Sequence, residues 1–174
     1  MADRVVDTDS QNVPEIPEML ERVLLFALDE GKQRMLAGED VIPFTSLVVK
    51  DNVFIETHPG NNPEECFNYA RHTVQGARGA DAYAFCYDGY VETDAGTKDA
   101  LIAEGGIPGA DEGFAVSYLY EPKEGAAPVF ESEPAYVGTA PNFMVALKEA
   151  SEYSDADIDA NYLDTFTDDD DEEA

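Results

Sequence analysis

The chain has 174 residues, of which 44% are hydrophobic, and a formal net charge of -28 from 38 acidic against 10 basic residues. The hydrophobic content supports one folded domain and excludes a wholly disordered chain. The negative charge repels nucleic acid phosphates and anionic lipids, so we expect no direct nucleic acid binding. Two distant cysteines, no secretory signal and no apolar run of about 20 residues predict a cytoplasmic protein without a membrane partner.

Three explanations of the acidity stay open. An acidic, salt-adapted proteome gives most of its proteins such a surface whatever their function. A basic protein partner would be attracted over long range. A nucleic-acid mimic would present carboxylates to a nuclease or repressor where that protein expects phosphates.

Residues 1–16 are polar and acidic, which predicts a flexible arm. A helix is predicted from Pro17, because proline favours the first turn, and it should end between Gly31 or Gly38 and Asp40. Its apolar residues recur at spacings of three and four, which is typical of one buried helix face: Leu20, Val23, Leu24, Ala27 and Leu28.

Residues 41–57 contain two β-branched and aromatic runs separated by Lys50, Asp51 and Asn52, which predicts a hairpin. Since these runs do not alternate with polar residues, we expect a helix to cover each face at least in part. A second helix should begin after the N-cap Asn62 and end at residues 76–79.

Residues 80–104 carry the densest aromatic run. In an extended strand Tyr83, Phe85 and Tyr87 lie on one side, and the small residues Ala82, Ala84 and Cys86 lie on the other. The small side predicts a closely packed helix. We interpret Asp88-Gly89 as a bulge in one long strand, and residues 94–97 as the turn that leads into a paired strand over 98–104.

The remaining chain contains a glycine-rich loop over 105–113, a strand over 114–121, an edge strand over 129–138 and a short helix over 142–150. We therefore predict a single α+β domain over residues 17–150, with a mainly antiparallel sheet of five to six strands and two to three packing helices. Residues 151–174 form an acidic tail that we expect to be largely disordered. Within it Ile158, Tyr162 and Phe166 recur every fourth residue, which predicts a partner-binding stripe on a transient helix.

No spacing specific to a catalytic site occurs, so we assign no catalytic residue, no cofactor and no metal ligand. His58 and His72 are interpreted as exposed or loop-capping residues. A Cys66/His58 nucleophile pair is an alternative, although Glu64 and Glu65 oppose thiolate formation. Asp88, Asp99 and Glu104 form a possible carboxylate site, provided that the paired strands bring them together.

The run YAFCYDGYVETDAGTKDALIAEGG, followed by FAVSYLYEP, resembles small uncharacterised bacterial proteins. In them a YDG strand precedes a G-x-(K/R)-DA-(L/I) strand that ends in Glu. The resemblance covers about a third of the chain and implies that the two strands pair; it implies no activity. The predicted order of elements is also similar to roadblock and longin adaptors, by topology alone.

The leading hypothesis from these observations is a noncatalytic protein-binding or adaptor protein with an acidic surface, whose partner is a basic protein. The sequence is also compatible with a homo-oligomer. Two alternatives stay open: a small enzyme or divalent-metal-binding domain that uses Asp88, Asp99 and Glu104, and an acidic nucleic-acid-mimic inhibitor.

Overall fold

The computed structural model describes residues 3–5, 14–149 and 152. Within them the predicted α+β class with a mainly antiparallel sheet is confirmed. Eight strands replace the expected five to six, because residues 129–138 contribute to two strands and residues 3–5 of the expected arm add another. In chain order the elements are β1 (Asp3–Val5), α1 (Glu18–Leu36), β2 (Phe44–Val49), β3 (Asn52–Thr57), α2 (Pro63–Gln75), β4 (Ala82–Thr93), β5 (Gly96–Gly106), β6 (Gly113–Lys123), β7 (Ala126–Phe130) and β8 (Ala135–Ala140).

The sheet has the order β3-β2-β4-β5-β6, and two strands share the outer edge of β6. β8 pairs with the first half of β6, over Gly113–Ser117, and β7 pairs with its end, from Tyr120. β1 is parallel to β4 at Tyr90–Glu92, beyond the point where β2 stops pairing. Cα atoms of β1 and β8 lie within 8 Å of each other, so the sheet is strongly curled.

Helix α1 packs on one side of the sheet and begins directly after Pro17, as predicted. It ends in a Schellman motif: the Glu39 N–H donates to the Arg34 carbonyl, and Gly38 has the positive φ of 84° that this motif requires. Gly31 lies inside the helix and does not end it. A Cβ atom at Gly31 would stand 2.8 Å from Leu101 Cδ2, so this glycine permits the close approach of α1 to β5.

The hairpin β2–β3 and helix α2 form where the sequence predicts them. Lys50 and Asp51 adopt positive φ in the turn, and the Asn62 side chain accepts a hydrogen bond of 2.9 Å from the Glu65 N–H at the start of α2. Strand β2 is buried throughout, as expected for a strand between two helices. Strand β3 is mostly exposed, so the predicted coverage holds for β2 only.

Strand β4 divides two cores. Ala82, Ala84 and Cys86 pack under α1, whereas Tyr83, Phe85 and Tyr87 belong to the core on the α2 side. The two sides of the sheet are called the α1 side and the α2 side below. The predicted long hairpin is confirmed, although its turn takes residues 94–95 and not 94–97, because Gly96 and Thr97 already pair with β4. The predicted bulge is wrong, since Asp88 pairs with Leu101 and Gly89 with Ala100 in unbroken register.

The helix predicted over residues 142–150 is wrong for its described part, residues 142–149, which form turns. The Asn142 side chain explains the difference, because its amide donates to the carbonyls of Ile107 and Ala110, each at 2.8 Å, while its oxygen accepts from the Met144 N–H. These bonds tie the segment to the β5–β6 loop. Phe143 stacks on Tyr83 at 5.3 Å and completes the α2-side core. Neither helix of the described residues has the length and hydrophobicity that crossing a membrane requires.

Candidate functional site

The three carboxylates predicted from the sequence do not converge. Asp88 pairs with Leu101, a residue of the α1-side core, so Asp88 and Asp99 both lie on the α1 side. Glu104 has the opposite parity on β5 and lies on the α2 side. The structure therefore brings Asp88 and Asp99 to one face and places Glu104 on the other.

Glu104 is a structural residue of the core. Its side chain is fully buried, and Oε2 accepts a hydrogen bond of 2.8 Å from the Tyr87 hydroxyl. Phe85 and Ala115 are its cross-strand neighbours. A carboxylate enclosed in this way has no access to a substrate.

The α1 side becomes open where α1 ends at Leu36. Beyond that point four side chains occupy neighbouring positions of the sheet: Asp88 and Tyr90 on β4, Asp99 on β5 and Tyr120 on β6. We call these four residues the open sheet patch. The Tyr120 hydroxyl donates a 2.6 Å hydrogen bond to Asp88 Oδ1, and the Tyr90 side chain is 47% exposed.

A recess of about 610 Å³ adjoins the open sheet patch, between the end of α1 and the β6–β7 hairpin. Asp88 and Tyr120 line it together with acidic Glu39 and Asp40 from the loop after α1, and Lys123 is a cation among its lining residues. Apolar atoms are contributed by Met35, Leu36, Ala126, Ala127 and Pro128. Tyr120 also lines a second recess of about 430 Å³, together with Asp99 and Phe130.

The electrostatics of the open sheet patch disfavour negative charge. Partial burial raises the pKa of Asp88, and the nearby charge of Asp99 acts in the same direction, whereas the hydrogen bond from Tyr120 opposes both. Burial and the carboxylate of Asp88 likewise raise the pKa of Tyr120, which therefore remains a hydrogen-bond donor at neutral pH. A cation placed between Asp88 and Asp99 would relieve their repulsion.

Aromatic rings beside the patch already contact a cation of the same chain. The Lys32 ammonium lies 4.8 Å from the Tyr118 ring and 5.5 Å from the Phe130 ring. Phe130 also packs against Tyr120, with ring centroids 5.3 Å apart. The rings therefore form an environment in which ammonium and guanidinium groups are stabilised.

His58 is fully buried, contrary to its interpretation as an exposed or capping residue. Its Nε2 lies 2.8 Å from the Thr45 hydroxyl, and Nδ1 lies 3.5 Å from Glu56 Oε2. Burial outweighs the nearby carboxylate and lowers the pKa of His58 to about 4, so the ring is neutral at pH 7. Because both ring nitrogens face groups other than Cys66, the geometry gives the Cys66/His58 nucleophile pair no support; His72 is exposed, as expected.

Among the described residues, no three or more His, Cys, Asp or Glu side chains are grouped so that they could hold a metal ion. Ile158, Tyr162 and Phe166 of the tail lie outside those residues. Sequence analysis missed Tyr90, Tyr120 and Asp40. The alternation of β6 places Tyr120 on one face with Tyr118, but only the register between β5 and β6 brings it to Asp88.

No protein-family model matches this chain, and no curated protein or solved structure matches it either.

Proposed function

We propose that this protein is a noncatalytic protein-binding module whose open sheet patch takes a basic segment of another protein. The observation that carries the proposal is the convergence of Asp88, Tyr90, Asp99 and Tyr120 on one accessible face beside a recess. The net charge of -28 adds long-range attraction for a basic partner. We place this function in the cytoplasm, since Cys66 and Cys86 are both free thiols.

The chemistry of the patch matches an arginine or lysine side chain. The carboxylates of Asp88 and Asp99 accept hydrogen bonds from a guanidinium or ammonium group, and the faces of Tyr90 and Tyr120 stabilise its positive charge. The aliphatic part of such a side chain requires apolar surface, which Met35 and Pro128 supply in the recess. A segment with alternating basic and apolar residues therefore fits better than a uniformly basic one.

A displayed random-peptide library, selected on the immobilised full-length chain, tests this proposal. We expect enriched peptides to combine arginine or lysine with apolar residues, and their binding to weaken as salt rises. The double variant Asp88→Asn/Asp99→Asn should lose most of this binding, because it removes both negative charges and replaces one oxygen of each side chain with an NH2 donor, with little change in side-chain size.

The matched control is Asp111→Asn/Glu112→Gln, which removes the same formal charge from the exposed loop between β5 and β6. Equal loss of binding in both variants would mean that overall charge, and not the open sheet patch, attracts the peptides. Enrichment of acidic or purely apolar peptides would contradict the proposal.

The metal-binding alternative retains only Asp88 and Asp99 of its three carboxylates. Titration of the full-length chain with Ca²⁺ or Mg²⁺, followed through the backbone amide resonances of β4 and β5, tests it directly. Saturable shifts confined to residues 88–99 would favour a metal site, whereas small shifts spread over all acidic regions would indicate screening alone.

The nucleic-acid-mimic alternative differs from the proposal in the partner. A mimic binds a protein that also binds DNA, so duplex DNA should displace the chain from its partner. If duplex DNA does not displace the chain from a natural protein that contains the selected peptide sequence, the protein-binding module is favoured over the mimic.

A further inference from the structure

Two segments of the described protein contain no acidic residue although the chain is strongly acidic, and a carboxylate that contacts them is that of Glu56, which accepts a hydrogen bond from Thr73 on α2. Residues 66–80 and residues 141–148 contain no Asp or Glu, and they carry the basic residues Arg71, His72, Arg78 and Lys148. We call the exposed parts of these two segments the acid-free surface. It lies on the α2 side, opposite the open sheet patch.

The two segments are joined by direct aromatic contact. The ring of Phe67 on α2 lies 5.1 Å from that of Phe143, in an edge-to-face geometry. The Arg71 guanidinium lies 5.9 Å from the Phe67 ring and donates a hydrogen bond of 2.9 Å to the Asn68 side chain. Val145, two residues after Phe143, is 49% exposed. Cationic and apolar groups therefore alternate over this surface.

The chain continues from this surface into its most acidic segment. After Lys148 the sequence contains no Lys, Arg or His, and residues 153–174 lie outside the described residues. Helix α2 is about 20 Å long at 1.5 Å per residue, whereas an extended chain spans about 3.4 Å per residue. An extended stretch of about six residues is therefore as long as α2.

We propose that the C-terminal tail of this chain, residues 153–174, docks on the acid-free surface. Its carboxylates pair with Arg71 and Arg78, and the stripe of Ile158, Tyr162 and Phe166 contacts Phe67 and Val145. The tail follows Lys148, the last residue of the acid-free segments, directly in the sequence, so the loop that docking closes is short and its entropy cost is small. Charge complementarity favours this surface over the open sheet patch, whose carboxylates repel the tail. This inference is independent of the peptide binding proposed for the open sheet patch.

A nitroxide label on the tail of the full-length chain tests the docking. In the variant Asn161→Cys the new thiol accepts the label, whereas Cys66 and Cys86 are buried; unsubstituted protein treated with the reagent controls for their labelling. We expect the label to broaden the amide resonances of residues 66–80 and 142–148 strongly and to leave those of the open sheet patch sharp.

Two variants and a matched control define the chemistry. Arg71→Gln/Arg78→Gln should abolish most of the broadening, whereas Lys98→Gln/Lys123→Gln, which changes the charge equally at other exposed positions, should preserve it. Loss of Arg71 could disturb α2, so the second variant leaves the folded domain unchanged. It replaces four aspartates of the tail with Asn: Asp155, Asp157, Asp159 and Asp164. This variant should reduce the broadening in the same way.

Broadening that is absent, evenly distributed or concentrated on the open sheet patch would overturn the proposal. It would also be overturned if the same broadening appeared in a mixture of labelled chains without isotope enrichment and isotope-enriched chains without the label, because the occupant would then be a second copy. Persistence of the broadening after Tyr162→Ser/Phe166→Ser would overturn the aromatic contact.

Discussion

A tyrosine–carboxylate hydrogen bond lies on each side of the sheet, and the two bonds differ in their surroundings. On the α2 side Tyr87 donates to Glu104 at 2.8 Å, with both side chains buried. On the α1 side Tyr120 donates to Asp88 at 2.6 Å, at a solvent-accessible recess. The same pair of functional groups therefore belongs to the core in one place and to a candidate binding surface in the other. The length of α1 decides this, since the helix stops before it covers Asp88.

The largest expected effect contrasts two aromatic residues of β4. Phe85→Ala removes a fully buried ring from the α2-side core and should lower the free energy of unfolding by about 3–5 kcal/mol. Tyr90→Ala, five residues along the same strand, should change it by less than about 0.5 kcal/mol, because Tyr90 is exposed. Urea denaturation at constant ionic strength measures both, and comparable losses would show that the open sheet patch is part of the core.

The second prediction concerns pH. Burial holds the pKa of His58 at about 4, below the 6.5 of an unfolded chain, so the unfolded state binds a proton first as pH falls. The stability that neutral His58 contributes is present above pH 6.5 and is lost progressively down to about pH 4. The loss should amount to about 3 kcal/mol.

His58→Gln isolates this contribution, since protonation of the many carboxylates affects both proteins alike. The decrease in the free energy of unfolding from pH 7 to pH 4 should be larger for the natural chain than for the variant. Equal changes would indicate that Glu56, 3.5 Å from His58, stabilises a charged imidazole and offsets its burial.

The third prediction makes the same substitution on both sides of the sheet. Tyr87→Phe removes the donor to buried Glu104 and should cost about 1–3 kcal/mol in the free energy of unfolding. Tyr120→Phe removes the donor to Asp88, where water replaces it, and should cost less than about 1 kcal/mol. A larger loss of unfolding free energy for Tyr120→Phe than for Tyr87→Phe would show that the Tyr120–Asp88 pair, and not the Tyr87–Glu104 pair, stabilises the core.

The smallest effect is expected for the titration of Asp88. Its pKa is raised, so its contribution to stability is fully present below the unfolded value of about 3.9 and is lost as pH rises through the folded value. Carboxyl chemical shifts should show a midpoint above about 3.9, and Tyr120→Phe should raise it further, because the hydroxyl stabilises the carboxylate. A midpoint below about 3.9 would contradict the effects of partial burial and of the Asp99 charge on the pKa of Asp88.

Local patterns predicted most elements correctly. The spacing of Leu20, Val23 and Leu24, the Asn62 cap and the Lys50–Asp51 turn each depend on a few neighbouring residues, which is why the sequence predicts them. The helix predicted over 142–150 failed because the Asn142 side chain bonds to the distant Ile107 and Ala110 carbonyls. The prediction of a bulge at Asp88-Gly89 was wrong because β5 pairs with β4 in unbroken register at these two residues.

The sequence by itself determined the fold class, the large and small sides of β4 and the strongly acidic balance, since these follow from composition and from strand and helix periods. Only the tertiary structure decided which carboxylates meet. Strand parity separates Glu104 from Asp88 and Asp99, the register between β5 and β6 brings Tyr120 to Asp88, and the end of α1 leaves them accessible. Pairing register and helix coverage depend on contacts between residues far apart in the chain, which local sequence patterns do not encode.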